Sequence, residues 1–160
     1  GLINMVYNGG DAIVIIMNND TTGMTGGQEH AGTGRTARGT EAPRIDIAKL
    51  CQAIGSKRVR EIDAYNIKDI ERTMKEELAE KGPSVLISNQ PCVLRYRIAK
   101  KAYAVERKTC TGCKVCLKAG CIALSFTPEG KTGFVEIDPL LCNGCGVCAQ
   151  LCTTGSMKTT

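Results

Sequence analysis

The stretch AIVIIMNNDTTGMTGGQ, residues 12–28, sets the architecture of the first part of the chain. Residues 12–18 are mostly β-branched or apolar, which predicts a strand buried on both faces of a parallel sheet. The polar loop that follows contains Gly23, Gly26 and Gly27, and glycine lets a backbone approach a ligand closely. Because parallel sheets bind ligands beyond the carboxyl ends of their strands, we expect a ligand at this loop.

Strand and helix patterns alternate on either side of this stretch. The predicted elements are a helix over 1–8, the strand over 12–18, a helix over 47–55, a strand over 58–63, a helix over 66–82 and a strand over 84–89. Asp46 and Asn66 are the expected N-caps of the two later helices. This alternation predicts an α/β layer with a parallel sheet. No cap precedes Leu2, and three strands are few for an open sheet, so we expect the chain to begin inside a larger domain.

Composition argues against several classes of partner. The 160 residues carry 21 Lys plus Arg and 16 Asp plus Glu, a net charge of +5. Aromatic residues make up only 4%, and no basic stripe is interleaved with them, so we expect no nucleic-acid partner. Residues 1–20 lack the features of a signal peptide, and no apolar run reaches the roughly 18 residues that span a bilayer. We therefore expect a cytoplasmic, reducing setting without a membrane partner, where clustered cysteines hold metal.

Eight of the ten cysteines form two runs near the end of the chain. The runs are CTGCKVCLKAGC (110–121) and CNGCGVCAQLC (142–152), each with C-x-x-C-x-x-C spacing and then a fourth cysteine. In two-cluster ferredoxins the fourth cysteine of each run ligates the other cluster, so we predict two [4Fe–4S] clusters. The predicted ligands are Cys110, Cys113, Cys116 and Cys152 for cluster A, and Cys142, Cys145, Cys148 and Cys121 for cluster B. Zinc sites favour paired C-x-x-C units, and disulfides conflict with the expected compartment.

The uneven distribution of cysteines predicts two domains, 1–104 and 105–160. The second resembles the bacterial two-[4Fe–4S] ferredoxin domain, which implies an α+β fold, and a hairpin turning at 128–133 is expected between the cysteine runs. The chain departs from that family where the first run has four residues before its last cysteine instead of three. Ile122 and Thr153 also replace the proline that usually follows the last cysteine.

The glycine loop fits neither a P-loop nor a G-x-G-x-x-G motif. After a buried strand, MNNDTTGMTGGQ (17–28) instead resembles the second half of the thiamine diphosphate motif of 2-oxoacid oxidoreductases. This resemblance implies a partial thiamine diphosphate-binding fold over 1–104, with a Gly-Asp half-motif preceding Gly1. It also implies that the Asn19 side chain and the Thr21 carbonyl bind Mg²⁺ together with the diphosphate, while Asp20 points elsewhere. Mg²⁺ takes hard oxygen ligands and often shares them with phosphates.

The combination of both parts resembles the C-terminal portion of the alpha subunit in the indolepyruvate ferredoxin oxidoreductase family. The resemblance includes NNDTTGMTGGQEHAGTGR (18–35), EAPRIDIAKLCQAIG (41–55), GPSVLISNQPCVL (82–94) and the cysteine runs. The chain departs at Ala31, where proline is expected. The resemblance implies oxidative decarboxylation of an arylpyruvate to acyl-CoA and CO₂, with electrons passing through the clusters to ferredoxin. It also implies a beta subunit and coenzyme A as partners.

The same loop offers further candidate residues. Thr25, Gly26 and Gly27 are candidates for contact with cofactor or substrate. His30, the only histidine, is either a solvated loop residue or a group that handles substrate or protons. Arg35 and Arg38 either face coenzyme A phosphates or a substrate carboxylate, or form a solvated basic loop.

Some alternatives stay open. The charged helical stretch KEELAEK (75–81) is expected to be a solvated face, and Cys51 and Cys92 are expected to be buried packing residues. Two other functions also fit the sequence. One is an electron-transfer module without catalytic activity, and the other is a non-oxidative thiamine-dependent decarboxylase subunit.

Overall fold

The computed structural model describes residues 1–98, 100–130 and 132–160. These residues form two compact units, Gly1–Arg97 and Ile98–Thr160. The strand Tyr103–Val105 pairs antiparallel with Met157–Thr159 inside the second unit. The domain boundary proposed from the sequence therefore falls within a strand of that unit.

The first unit is a three-stranded parallel sheet with helices on its faces. Its elements are α1 (Leu2–Tyr7), β1 (Ile13–Asn18), α2 (Ile47–Ala53), β2 (Arg58–Asp63), α3 (Ile67–Ala79), β3 (Ser84–Asn89) and α4 (Val93–Tyr96). The strand order is β1-β3-β2, and both pairings are parallel. The expected caps form, since Asp46 Oδ1 accepts from Lys49 N at 2.9 Å and Asn66 Oδ1 accepts from Asp69 N at 3.2 Å. The predicted α/β layer is confirmed.

Strand β1 is not buried on both faces, so that expectation was wrong. Ile15 and Met17 are 54% and 83% exposed. Strand β3 is the central strand of the sheet, and its residues 84–87 are all buried. Residues of α1 and α2 pack with Val14 and Ile16 on one face of the sheet only. An apolar run predicts a strand but does not reveal whether that strand lies at the edge, because strand order is a non-local property.

Helix α3 buries a charge that the sequence suggested was solvated. Glu77 is only 3% exposed and lies against strand β2. Its Oε1 is 3.2 Å from Arg60 Nε, and its Oε2 is 3.4 Å from Arg58 Nε. Buried charges are normally paired, and here both partners come from the neighbouring strand. The stretch 75–81 is therefore only partly a solvated face. Of the two isolated cysteines, Cys51 is buried as expected, whereas Cys92 is half-buried.

The second unit is a small α+β fold, as predicted. Its elements are β4 (Tyr103–Val105), a 3₁₀ helix (Val115–Ala119), β5 (Leu124–Glu129), β6 (Thr132–Ile137), α5 (Val147–Leu151) and β7 (Met157–Thr159). Antiparallel pairs β4–β7 and β5–β6 form two small sheets. The buried core consists of Cys116, Val135, Cys148 and Met157. In the described ranges of both units, no helix has the length and apolar character needed to cross a bilayer.

The hairpin expected between the cysteine runs is present, with a turn tighter than the range 128–133. Pro128 pairs with Gly133, and the ladder continues to Glu129 opposite Thr132. The proposed turn residues 128 and 133 therefore lie within paired strands. Gly133 is required for a different reason, because a Cβ there would lie 2.5 Å from Thr127 O and would also collide with the Phe126 ring. Glycine in a strand often marks such a close approach.

The Glu77 ion pairs give a stability prediction. Glu77→Gln removes the charge that two arginines share, while keeping side-chain volume. Breaking a buried pair typically costs about 3–5 kcal/mol, and we expect a smaller loss of about 1–3 kcal/mol because Arg58 and Arg60 reach solvent. Denaturant unfolding measures the change. Glu71→Gln, which removes an exposed pair with Lys75, is the matched control and should cost less than about 1 kcal/mol. Equal losses in both variants would contradict the buried role of Glu77.

Candidate functional site

The loop after β1 folds into a tight hairpin of its own. Thr22 N donates to Gln28 O at 2.9 Å, and Gly27 N donates to Thr22 O at 3.1 Å. Gly26 and Gly27 have φ values of +105° and +80°, so the turn itself requires glycine at both positions. Thr25 and Gly26 lie at the exposed tip, and Thr25 Oγ1 donates to Gln28 Oε1 at 2.6 Å. The conformation of the loop therefore requires Gly26 and Gly27, independent of any contact with a ligand.

Two oxygen atoms expected to bind metal lie in one turn at the start of this loop. Asn19 Oδ1 accepts from Thr21 N at 3.2 Å. Thr21 is buried, and its hydroxyl donates to Gln28 O at 3.3 Å. In the ranges that the structure describes, no hydrogen bond reaches the Thr21 carbonyl oxygen. A Cβ on Gly23 would come within 3.2 Å of Asn19 Nδ2, so this glycine makes room for the asparagine.

Asp20 lies between these two residues, and both its carboxylate and its carbonyl oxygen make other contacts. Its φ of +55° is left-handed, a conformation that Asp tolerates better than most residues. Its carboxylate forms an ion pair with Arg44 Nη2 at 2.7 Å. Its carbonyl oxygen accepts from Tyr96 Oη at 2.5 Å. The Asp20 carboxylate is therefore directed to Arg44, away from the Asn19–Thr21 oxygens.

The segment that follows β3 holds the loop in place. Residues 90–96, which include α4, supply both backbone and side-chain contacts to residues 18–29. The contacts are Gln90 N to Asn18 O (3.0 Å), Cys92 N to Asn19 O (3.0 Å), Tyr96 Oη to Asp20 O (2.5 Å) and Arg95 Nη2 to Glu29 Oε1 (3.0 Å). The resemblance included residues 82–94, but the sequence assigned this segment no role at the loop. Only the rule that parallel strands end at the same edge pointed toward it.

A polar chain crosses the carboxyl ends of all three strands. Asn18 Nδ2 donates to Asn89 Oδ1 at 2.8 Å, and Asn89 Nδ2 donates to Glu61 Oε2 at 2.8 Å. Beside this chain lies a cavity of about 370 Å³ that is also lined by Asp20 and Arg44. The carboxyl edge therefore has the polar lining expected where a parallel sheet binds a ligand.

The remaining polar residues of the loop have local roles. His30 is half-buried, and its Nδ1 accepts from Gly32 N at 3.0 Å, so the side chain closes a turn. Arg35 and Arg38 are both exposed. The pKa of the neighbouring Glu29 is lowered, mainly by a hydrogen bond from Thr33 and further by Arg95 and the charge of Arg35.

The eight cysteines of the second unit fall into two electrostatic groups. Burial raises the pKa of Cys116, and the charges of Cys152, Cys113 and Cys110 raise it further. Burial raises the pKa of Cys148 to about 11, with smaller contributions from Cys145, Cys142 and Cys121. These groups have the same members as the two ligand sets expected from the sequence, although the ligand assignment itself stays a prediction. Within the described ranges, no three His, Cys, Asp or Glu side chains are placed to hold a single metal ion.

The two groups differ in the hydrogen bonds that reach their sulfurs. Ser156 N donates to Cys152 Sγ at 3.3 Å, and the Thr154 hydroxyl lies 3.6 Å from the same sulfur. Burial raises the pKa of Cys152, but these hydrogen bonds outweigh it and lower the pKa to about 7. In the other group, Tyr103 N donates to Cys142 Sγ at 3.5 Å. Donors of this kind favour the thiolate that an iron–sulfur cluster needs as ligand.

Glycines in the cysteine runs allow close backbone packing. Gly112 has a φ of +67°, and a Cβ there would collide with Gly133 O. Gly144 has a φ of +70°, and a Cβ there would lie 2.6 Å from Lys101 O. Both loops are therefore pressed against neighbouring backbone, which fixes the positions of their cysteines. A donor set made only of thiols suits soft metal centres, including iron–sulfur clusters.

Two family models match the chain. Residues 1–88 match "Thiamine pyrophosphate enzyme, C-terminal TPP binding domain", a range that includes β1, the glycine loop, β2 and most of β3. Residues 135–158 match "4Fe-4S binding domain", which includes all four cysteines of the second run.

Curated relatives match nearly the whole chain. Proteins named indolepyruvate oxidoreductase subunit IorA from Pyrococcus horikoshii, Methanothermobacter thermautotrophicus and Archaeoglobus fulgidus are 39%, 37% and 35% identical to it, each over 98% of its length. The chain spans 25%, 25% and 26% of these relatives, respectively. It is therefore about a quarter as long as the relatives it matches.

The contact between residues 90–96 and the loop leads to a prediction about loop dynamics. Arg95→Gln removes the ion pair with Glu29, whose carboxylate is mostly buried. An ion pair of this exposure contributes up to about 1 kcal/mol, so backbone amide exchange in residues 19–29 should accelerate by up to about fivefold. Hydrogen exchange with mass spectrometry measures this rate. Arg97→Gln, at an exposed position two residues later, is the matched control. Equal exchange rates in both variants would show that Arg95 does not hold the loop.

Proposed function

Because the chain belongs to the thiamine pyrophosphate enzymes through the C-terminal TPP-binding domain of that family, we propose that its first unit binds Mg²⁺ and the diphosphate of thiamine diphosphate at residues 19–28. We propose further that the second unit holds two [4Fe–4S] clusters. Together they form part of a 2-oxoacid:ferredoxin oxidoreductase that acts on arylpyruvates. The observation that carries this proposal is that one chain combines the Asn19–Thr21 oxygen pair with two groups of four thiols.

The Asn19–Thr21 turn fits the needs of Mg²⁺. An amide oxygen and a free carbonyl oxygen are both hard ligands, and the diphosphate would supply others. Asp20 is held by Arg44 and Tyr96 and does not compete for the metal. The contacts from residues 90–96 keep the two oxygens in a fixed geometry, which a metal site requires. Bound thiamine diphosphate supplies the electron sink for decarboxylation of the 2-oxoacid.

The two thiol groups fit a role in electron transfer. Oxidation of a 2-oxoacid releases two electrons, whereas each cluster carries one at a time, so two clusters accommodate the pair. Coenzyme A accepts the acyl group and CO₂ leaves, while ferredoxin takes the electrons in two single steps. Low-potential clusters suit that acceptor. The relatives' name includes the word subunit, which supports a second, beta subunit as partner. A reducing cytoplasmic setting would keep the thiolates available.

Two rival functions make different predictions for the reconstituted enzyme. A non-oxidative decarboxylase would release CO₂ from an arylpyruvate without reducing ferredoxin. A pure electron carrier would cycle its clusters with ferredoxin but would not consume the 2-oxoacid. The oxidoreductase would release CO₂ and also reduce ferredoxin, and it would require coenzyme A for turnover.

Iron content tests the cluster assignment. We expect about eight iron and eight sulfide per chain after anaerobic reconstitution. Cys116→Ala should lower iron to about four per chain, because it removes one ligand of the proposed cluster A. Cys92→Ala, which lies outside both runs, is the matched control and should keep the full content. Zinc without iron, or an equal loss in both variants, would contradict the assignment.

Cofactor retention tests the Mg²⁺ assignment in the complete enzyme. Asn19→Ala should weaken thiamine diphosphate binding at fixed Mg²⁺ by about 10- to 100-fold, since it removes a metal ligand. Asn19→Asp keeps an oxygen ligand and should retain most of the affinity. Isothermal titration calorimetry measures the dissociation constant. Asn4→Ala, at an exposed position in α1, is the control. Unchanged affinity in Asn19→Ala would refute this residue as a ligand.

A further inference from the structure

The segments that follow the two cysteine runs carry different side chains. After Cys152 the sequence is TTGS (153–156), in which three residues have a hydroxyl group. After Cys121 it is IALS (122–125), and its first three side chains are apolar. We refer to the proposed ligands of cluster A and cluster B as set A and set B. Since Cys152 belongs to set A and Cys121 to set B, the two sets have different polar neighbours.

The segment 153–156 forms three hydrogen bonds with sulfur atoms of set A. The contacts are Ser156 N to Cys152 Sγ (3.3 Å), Thr154 Oγ1 to Cys152 Sγ (3.6 Å) and Thr153 Oγ1 to Cys113 Sγ (3.8 Å). In set B, Tyr103 N donates to Cys142 Sγ at 3.5 Å. Within the ranges that the structure describes, no hydroxyl group is hydrogen-bonded to a sulfur of set B.

Ser156 fixes the position of this segment. It is 1% exposed, and its carbonyl oxygen accepts from Glu106 N at 2.8 Å. Its hydroxyl is hydrogen-bonded to Thr154 Oγ1. A thiolate bound to iron has no proton and can only accept, so Ser156 Oγ would donate to Thr154 Oγ1, and Thr154 Oγ1 would donate to Cys152 Sγ. Hydrogen bonds linked in this way strengthen one another.

The exposure of the cysteines is the same in the two sets. Each set has one buried, one exposed and two half-buried members. The buried cysteines are Cys116 in set A and Cys148 in set B, and the exposed ones are Cys113 and Cys121, respectively. Solvent exposure is one factor that sets the potential of an iron–sulfur cluster, and here it does not distinguish the two sets.

Charged residues lie beside both runs. An acidic residue precedes each run by four positions, and its carbonyl oxygen accepts from the first cysteine of that run. The contacts are Cys110 N to Glu106 O (3.1 Å) and Cys142 N to Asp138 O (3.0 Å). Lys114 and Lys118 lie within the first run, and the backbone of Lys101 packs against Gly144 in the second. Residues of both signs are thus found at each run, whereas the hydroxyl donors described above belong to set A.

We propose that Thr153, Thr154 and Ser156 give cluster A a higher reduction potential than cluster B. Hydrogen bonds to the sulfur atoms favour the reduced cluster, because it carries one more negative charge than the oxidised one. A single electron on the chain therefore resides on cluster A. In the transfer, cluster B loses one electron and cluster A gains it, with no bond formed or broken. This inference rests on the proposed function, because it requires both clusters.

A redox titration of the complete enzyme, followed by electron paramagnetic resonance, tests this order without turnover. Thr154→Val removes a hydroxyl donor and keeps the shape of the side chain. Loss of one hydrogen bond should make reduction of cluster A about three- to tenfold less favourable, and a tenfold change corresponds to about 59 mV for one electron. The cluster of higher potential should be the one that shifts, with iron content unchanged. Thr153→Val should shift the same cluster in the same direction.

Two further variants control for effects unrelated to the hydroxyl group. Thr154→Ser retains a hydroxyl and should keep the original potential. Thr132→Val alters an exposed threonine of β6 and should shift neither cluster.

The outcomes separate this inference from the proposed function. A shift confined to the cluster of lower potential, or no shift in both Thr154→Val and Thr153→Val, would overturn the inference while two clusters remain. Loss of iron from both of these variants, with full iron in Thr132→Val, would also overturn it, because the hydroxyls would then support cluster assembly instead. Fewer than two clusters in the unaltered enzyme would refute the cluster assignment of the proposed function, and this inference with it.

Discussion

Parallel pairing of β1 with β3 is the constraint on which the glycine loop depends. The register places Asn18 opposite Asn89, so the chain leaving β3 runs beside the chain leaving β1. That neighbourhood allows residues 90–96 to reach the carbonyls of residues 18–20 and the carboxylate of Glu29. A slip of one residue would turn every side chain of β1 to the opposite face and would remove these contacts. The oxygen pair proposed for Mg²⁺ is thus positioned by sheet register rather than by the loop sequence alone.

In the second unit, each proposed set of four cysteine ligands takes its fourth member from the other run. The charge of Cys152 raises the pKa of Cys116 in the first run, and the charge of Cys121 raises the pKa of Cys148 in the second. The two ligand sets that we propose therefore form only when the unit has folded. Metal assembly and folding are coupled in sites of this kind. The two groups are also unequal, because polar donors reach Cys152 while the surface beside Cys121 is apolar and exposed.

Local patterns in the sequence were sufficient for much of the fold, and non-local contacts account for the rest. Strands 58–63 and 84–89 match the structure to the residue, because clear turn and helix signals bound them. The spacing of the cysteines predicts both groups of thiols, and that ligand assignment stays a prediction. Exposure of Ile15 depends on strand order, which an apolar run does not encode. Burial of Glu77 depends on two arginines of another element. Arg95 belongs to no motif, and its contact with the loop emerges only from parallel pairing.

In the function that we propose, electrons from a 2-oxoacid enter clusters carried on the same chain as half of the thiamine diphosphate site. Rapid-freeze electron paramagnetic resonance of the complete enzyme, mixed with an arylpyruvate without an external acceptor, tests this directly. We predict that signals of reduced [4Fe–4S] clusters appear as CO₂ is released, and that both depend on the 2-oxoacid. Release of CO₂ while the clusters remain oxidised would contradict this electron path.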